Sequence, residues 1–186
     1  SFKSGTSSSA ERGTRIHSIF EHLLSNNFEL PENITNKDSQ VTAWAVDKLR
    51  NYRDNFEFIS EQMIKFEVFN YMVSGIPDLI LMPKDNKDTA ELWDFKTGSR
   101  NEGTEKPYEF QLMTYAYAVY KLKLVPDNNL IKTVLCYIDD EKLVERSISK
   151  IDVDKYLSNY WNMISTPDQV NLDHCDKCPY GNICHQ

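Results

Sequence analysis

Asp78 and Asp94 fall in two apolar, strand-like segments, SGIPDLIL and ELWDFKTG, and each carboxylate has sheet-forming neighbours that would anchor it. On adjacent strands the two would converge at one sheet margin, and a fixed pair of carboxylates makes a site for a divalent cation. Mg²⁺ takes hard oxygen ligands and keeps several waters, which suits hydrolysis of a phosphate ester: the ion polarises the phosphoryl oxygen and lowers the pKa of a bound water. Lys96 follows Asp94 by two residues, so in a strand both side chains leave the same face. Its ammonium would position the attacking water or offset charge developing on the phosphate. The backbone carbonyl of Phe95, between them, is a further candidate ligand. Alone, an Asp-x-Lys triplet equally describes a solvated strand face, so its meaning depends on what surrounds it.

Ser8 and Glu11 have capping-box spacing, and Ile16, Ile19, Phe20, Leu23 and Leu24 recur on one helical face, which predicts a first helix over 9–25. A polar stretch over 25–40 breaks the pattern until Val41, Trp44, Ala45, Leu49 and Tyr52 resume it as a second helix. The period then changes. Ile64, Phe66 and Val68 alternate with Lys65 and Glu67, and strands over 73–82 and 91–96 follow, separated by the turn-forming PKDNKDT. Those three segments predict a meander. A third helix is expected over 108–121, a hairpin over 131–138 and 142–148 around Asp139 and Asp140, and an amphipathic last helix over 153–164. The resulting order is α, β-rich, α, β, α, an α/β domain with a Cys-rich tail over 171–186 and no internal repeat.

Composition limits what these motifs can mean. With 186 residues, 40% hydrophobic and 12% aromatic, the chain is long enough for a real core and is expected to form one domain over 1–186. No run reaches the ~18 to 20 apolar residues of a membrane span, and the start SFKSGTSSSAERG lacks a secretory apolar stretch, so a soluble, cytoplasmic protein with no membrane partner is expected. The net charge of -7 argues against gripping nucleic acid over the whole surface. A nucleic acid would be held locally, with metal ions offsetting carboxylates or with help from another chain. Of the cysteines at 136, 175, 178 and 184, three crowd the last dozen residues, which points to metal chemistry and not to a disulfide framework.

The sequence resembles the RecB-like branch of the PD-(D/E)XK nuclease superfamily. The resemblance rests on Gly13-Thr14-Arg15-Ile16-His17, Gly75-Ile76-Pro77-Asp78, Asp94-Phe95-Lys96-Thr97-Gly98 and Gln111-Leu112-Met113-Thr114-Tyr115, in that order from about Glu11 to Cys184. It implies a restriction-endonuclease-like core, a mixed central sheet flanked by helices. It also implies Asp78, Asp94 and the Phe95 carbonyl on Mg or Mn, in a one-metal or two-metal arrangement, with Lys96 in catalysis and His17 as a further ligand. Glu67 falls where such nucleases often carry an acidic residue on the preceding strand. Gln111 and Tyr115, four apart on one helix face, occupy positions that support the active site and contact nucleic acid in the family; simple helix packing beside Leu112, Ala116 and Val119 is the alternative.

For His17 the helix supplies its own check. It follows Ile16, so a helix that buries Ile16 and Phe20 aims His17 about 100° to one side, at the edge of the buried face. Arg12, Arg15, Arg100 and Lys106 lie near the motifs as candidate phosphate contacts, although scattered surface basic residues give the same pattern.

In the tail HCDKCPYGNICH, Cys175, Cys178 and Cys184 have C-x₂-C-x₅-C spacing, suited to zinc or an iron-sulfur cluster. The spacing is similar to the C-terminal part of the 4Fe-4S staple in AddB-type and CRISPR-associated exonucleases. In those proteins a fourth cysteine precedes the His-containing helix, and here it is absent. Cys136, in the predicted core strand TVLCYI, is expected to be buried and not a ligand. Three explanations stay open: a chain cut from a longer protein after the missing ligand, a degenerate site, or a zinc site completed by His174 or His185.

Two functions are in view. One is a metal-dependent deoxyribonuclease of exonuclease type, acting on DNA in repair, recombination or phage defence, with a helicase domain or subunit as a partner. The other is a catalytically inactive nuclease-fold module that binds nucleic acid or scaffolds a helicase complex. Keeping Asp78, Asp94 and Lys96 together favours activity, since an inactive domain has no chemical need for all three.

Overall fold

The computed structural model describes residues 8–85, 89–98 and 105–165. A five-stranded mixed sheet forms the centre, in the order β1 (Phe56–Ser60), β4 (Leu79–Pro83), β5 (Ala90–Lys96), β6 (Ile131–Tyr137) and β7 (Lys142–Ile148). Its pairs are antiparallel except β5 with β6, which are parallel. A parallel pair needs a crossover connection, and helix α3 (Glu105–Lys121) lies in that connection. Helices α1 (Ser8–Ser25) and α2 (Asn36–Arg50) precede the sheet, and α4 (Lys150–Ser165) follows it.

Strand alternation divides the core. Leu79, Leu81, Trp93, Phe95, Val134 and Cys136 meet Ile16, Phe20 and Leu23 of α1 and Ala45 and Leu49 of α2. Ile80, Leu92, Leu135 and Tyr137, one residue out of phase, meet Leu112, Met113 and Ala116 of α3 and Val153 and Leu157 of α4. Both faces of β5 are therefore covered, which is why it reads as an almost unbroken buried run.

The expected meander is not what forms. Residues 73–82 divide into β3 (Tyr71–Gly75) and β4, and β3 pairs with β2 (Ile64–Val68) in a separate two-stranded ribbon. The break is Ile76-Pro77-Asp78: Pro77 has no N–H for a ladder, and Gly75 lies against the Tyr115 ring of α3. Strand β1 carries no signal in the sequence, because five residues a short turn after a helix are too few for a periodic pattern. Helix α2 begins within the polar stretch because Thr35 is an N-cap: its hydroxyl accepts the Asp38 N–H at 3.1 Å and donates to the Asp38 carboxylate at 2.9 Å. Among the described residues no helix is long and apolar enough to cross a membrane.

Candidate active site

Three strands end at one sheet margin. The β1–β4 ladder closes at Ser60 with Leu79, and the β4–β5 ladder closes at Leu79 with Trp93. One step beyond these ladders come Glu61 and Asp78, and beside them Asp94, which is past its pairing with β4 but still paired with Leu135 of β6, so register sets the three carboxylates next to one another at this margin. Asp78 does what the missing ladder would do: its Oδ2 accepts the Phe95 N–H at 2.8 Å. Glu61 leaves β1 with a left-handed φ of 50°, uncommon for a residue with a side chain.

Helix α1 brings His17 to the same place. Ile16 and Phe20 anchor it in the core, with Phe20 stacked on Phe95 at 4.1 Å between centroids, and His17 Nδ1 stands 3.3 Å from Asp78 Oδ1. One donor atom each from His17, Glu61 and Asp78 lies within 4.8 Å of the others. The Asp78 carboxylate, as hydrogen-bond partner, raises the pKa of His17 despite partial burial. Burial and the charges of Asp78 and Glu21 raise that of Glu61. Crowded acidic groups that resist ionisation together are what a cation relieves.

Asp94 lies deeper, almost fully buried. Burial pushes its carboxyl up to about 6, reinforced by Asp78 and opposed by Lys96. The Lys96 ammonium is 2.6 Å from Asp94 Oδ2, an oxygen with no hydrogen-bond partner otherwise, and 4.2 Å from the Tyr108 ring centroid on α3. Lysine is thus held by a carboxylate on one side and an aromatic face on the other.

The remaining candidates are placed differently. Tyr115 donates its hydroxyl to the Ile76 carbonyl at 3.0 Å, which pins the segment entering Asp78. Gln111 lines a cleft between ribbon and α3 with Phe66, Ser74, Gly75 and Tyr115. Glu67 is exposed on β2, opposite Met72 in the ribbon, and is not in the donor cluster. Arg12 pairs with Asp139 and Arg15 with Asp38, so both guanidiniums already have carboxylate partners. Cys136 is fully buried in β6, and burial pushes its thiol up to about 12, as befits an inert core residue. Arg100, the Lys106 side chain, His174, Cys175, Cys178, Cys184 and His185 lie outside the described residues.

Glu61, Tyr108 and Asp139 carry no sequence signal of their own. Glu61 would have stood out only once β1 was recognised as the neighbour of the Asp78 strand.

The sequence matches the family description of the PD-(D/E)XK nuclease superfamily over residues 3–185. The chain belongs to that superfamily. Its mixed sheet flanked by helices is the restriction-endonuclease-like core of these nucleases. Among solved structures it is similar to SSO0001 at 18% identity and a TM-score of 0.42, covering 93% of this chain and 80% of that one. It is also similar to a candidate exonuclease from Eubacterium rectale at 12% identity and a TM-score of 0.48, covering 89% of this chain and 67% of that one. No curated protein matches the chain by sequence.

PD-(D/E)XK nucleases use divalent metals, and the residues present fit one. An imidazole nitrogen and carboxylate oxygens converge, a donor set suited to a hard or borderline divalent ion. The nuclease family implies a DNA substrate.

Proposed function

We propose that the protein is a Mg²⁺- or Mn²⁺-dependent deoxyribonuclease of the RecB-like branch, hydrolysing phosphodiester bonds as an exonuclease-type domain in DNA repair, recombination or phage defence. The observation that carries this reading is the juxtaposition of the His17, Glu61 and Asp78 donors with the buried Asp94–Lys96 pair at one sheet margin.

His17, Glu61, Asp78 and Asp94, with the Phe95 carbonyl, would hold the metal, which supplies Lewis acidity and a water of lowered pKa. The chain's own groups do the rest. Asp78 is orientated by the Phe95 N–H, so one oxygen is spent on the fold and the other faces His17. Lys96 is held by Asp94 and Tyr108, and its ammonium would donate to the attacking water or to a phosphoryl oxygen as negative charge grows there. Tyr115 holds the approach to Asp78, and Gln111 beside it faces the cleft between ribbon and helix.

The test is digestion of end-labelled linear and closed circular DNA, single- and double-stranded, with Mg²⁺ or Mn²⁺ and an Asp94→Ala control. Metal-dependent shortening of linear DNA that the control abolishes is expected. No cleavage of any substrate by the parent chain would overturn the reading, and cleavage of closed circles would overturn its exonuclease part.

A further inference from the structure

The β6–β7 turn carries a carboxylate bound to both sides of the candidate site without belonging to it. Asp139 Oδ2 accepts the Gly98 N–H at 2.7 Å, two residues beyond Lys96. The same carboxylate accepts from both terminal nitrogens of Arg12, Nη1 to Oδ2 at 2.8 Å and Nη2 to Oδ1 at 2.5 Å, on the helix that carries His17. Beside it the Ile138 N–H donates to the Lys96 carbonyl at 3.1 Å. Residues 138 and 139 therefore grip the chain on either side of Thr97.

Two local features make this grip specific. Gly98 has a φ of +106°, open to glycine and strained for other residues, and a Cβ there would meet nothing within 4 Å, so it is backbone conformation and not space that calls for glycine. Gly13, next to Arg12, brings α1 close to the same loop: a Cβ on it would stand 3.4 Å from Thr97 Oγ1.

Helix α1 is thus fastened to β5 and its following loop at two places, the Phe20–Phe95 stack in the core and the Arg12–Asp139–Gly98 bridge at the rim. His17 lies between them in sequence. Ile16 and Phe20 in the core and the Arg15–Asp38 pair with α2 hold the helix against its other neighbours. The Arg12 bridge is what ties its N-terminal turns to the loop after β5, where a small rotation moves a histidine that must meet Asp78 within a few tenths of an ångström. A bidentate guanidinium–carboxylate pair fixes orientation as well as distance, which a point-charge lysine would not do.

We propose that Asp139 is a positioning residue for the metal and lysine sites: through Arg12 it sets His17, and through Gly98 it sets the end of the Lys96 strand. This rests on the nuclease reading above for the purpose of the site, but its geometry is independent of DNA.

The experiment uses the whole chain with Mn²⁺ alone as the probe. Arg12→Ala, Asp139→Asn and Asp139→Ala are titrated calorimetrically without DNA, and hydrogen exchange at the Gly98 amide is followed in each. Arg12 and Asp139 bond each other and the Gly98 amide and not a candidate metal-holding side chain, so a fall in Mn²⁺ affinity near the lower, about 10-fold end of the range for direct outer partners is expected in all three. Arg12→Ala and Asp139→Asn keep an acceptor for Gly98, so its amide should stay protected, whereas Asp139→Ala should expose it. Should Asp139→Ala fail to fold, the other two decide. Mn²⁺ affinity changed by less than about twofold in folded Arg12→Ala and Asp139→Asn overturns the proposal, including the case in which only thermal stability falls. A parent chain that binds Mn²⁺ but cuts no DNA overturns the nuclease reading and leaves the titration to decide the role of Asp139. A parent that binds no Mn²⁺ overturns both.

Discussion

Asp78 accepts the Phe95 backbone N–H through one oxygen at 2.8 Å and turns the other toward His17 at 3.3 Å, so a single carboxylate both extends the β4–β5 ladder and belongs to the candidate metal-holding cluster. The two roles separate by substitution. Asp78→Asn keeps an oxygen for Phe95 but loses the charge, and Asp78→Ala loses both. Mn²⁺ binding by calorimetry should fall in each by more than the roughly 10- to 100-fold expected for an outer partner. Only the alanine variant should also lose fold stability, by about 1 kcal/mol in denaturant titration for the hydrogen bond removed. Equal stability in the two variants would show that the Phe95 bond contributes nothing.

The donor set contains an acidic residue that the motifs alone do not pick out. Glu61→Gln is expected to weaken Mn²⁺ binding about tenfold or more, while Glu67→Gln, exposed on the ribbon, should leave it within about twofold. The reverse order would return the acidic role to Glu67.

Glu67 lies in an alternating strand pattern, whereas Glu61 gains its place only from the pairing of β1 with β4. The candidate roles of Asp78, Asp94, Lys96 and His17 come from the family resemblance, since the Asp-x-Lys triplet alone equally describes a solvated strand face. The first three can be picked out as candidates because they lie in or beside apolar strand-like segments, and His17 because it sits at the edge of a regular helical stripe. The helices were readable for the same reason, since each buries one face over several turns. Glu61 and the Arg12–Asp139–Gly98 bridge were not, because both depend on pairing between segments far apart in sequence. Asp139 is 127 residues from Arg12, and a polar turn residue shows no period. The sequence pattern predicts one strand over 73–82 because β3 and β4 are nearly continuous in it, and only the Tyr115 contact at Gly75 and the missing N–H of Pro77 divide them.

Protonation should compete with the metal. In the metal-free protein burial raises Asp94 to about 6, and the Asp78 carboxylate raises His17 above its ordinary value. Both groups bind protons more readily folded than unfolded, so the metal-free fold gains stability as pH falls from above the His17 pKa toward about 5. Ionised Asp94 costs on the order of 3 kcal/mol by its shift, present above pH 6 and absent below the unfolded carboxyl value. The melting temperature without metal should therefore rise from pH 7.5 to pH 5, and Asp94→Asn should flatten that slope and raise stability at pH 7. Mn²⁺ affinity should run the opposite way, rising with pH as protons leave both groups. Lys96→Ala removes a cation that holds Asp94 down, so it should move that affinity curve to higher pH and lower turnover about 10²- to 10³-fold. A Mn²⁺ affinity that is flat between pH 5 and 7.5 would remove both groups from the site.

Gly75 and Tyr115 supply the last prediction. A Cβ on Gly75 would stand 2.7 Å from Tyr115 Cε1, closer than side-chain carbons approach in folded proteins, and 3.3 Å from its hydroxyl, a tight contact. Tyr115 cannot simply swing away, because its ring also packs against Ile64, Phe66 and Ala118 and its hydroxyl is bonded to Ile76. Gly75→Ala must then displace either the ring or the strand end, and the strand end is the lead into Asp78. Overpacking of this kind costs about 1 to 3 kcal/mol, and Mn²⁺ affinity should fall with it because Asp78 shifts. Tyr115→Phe removes the hydroxyl alone, at a site where water can replace it, and should cost less than about 1 kcal/mol. Tyr115→Ala on its own opens a gap beneath the ribbon, yet combined with Gly75→Ala it removes the clash. The double variant should therefore be less damaged than the two single changes together, by about 1 kcal/mol or more in a stability cycle. Strict additivity would mean that the ring yields without moving the strand, and Tyr115 would then be packing and not the pin of the Asp78 segment.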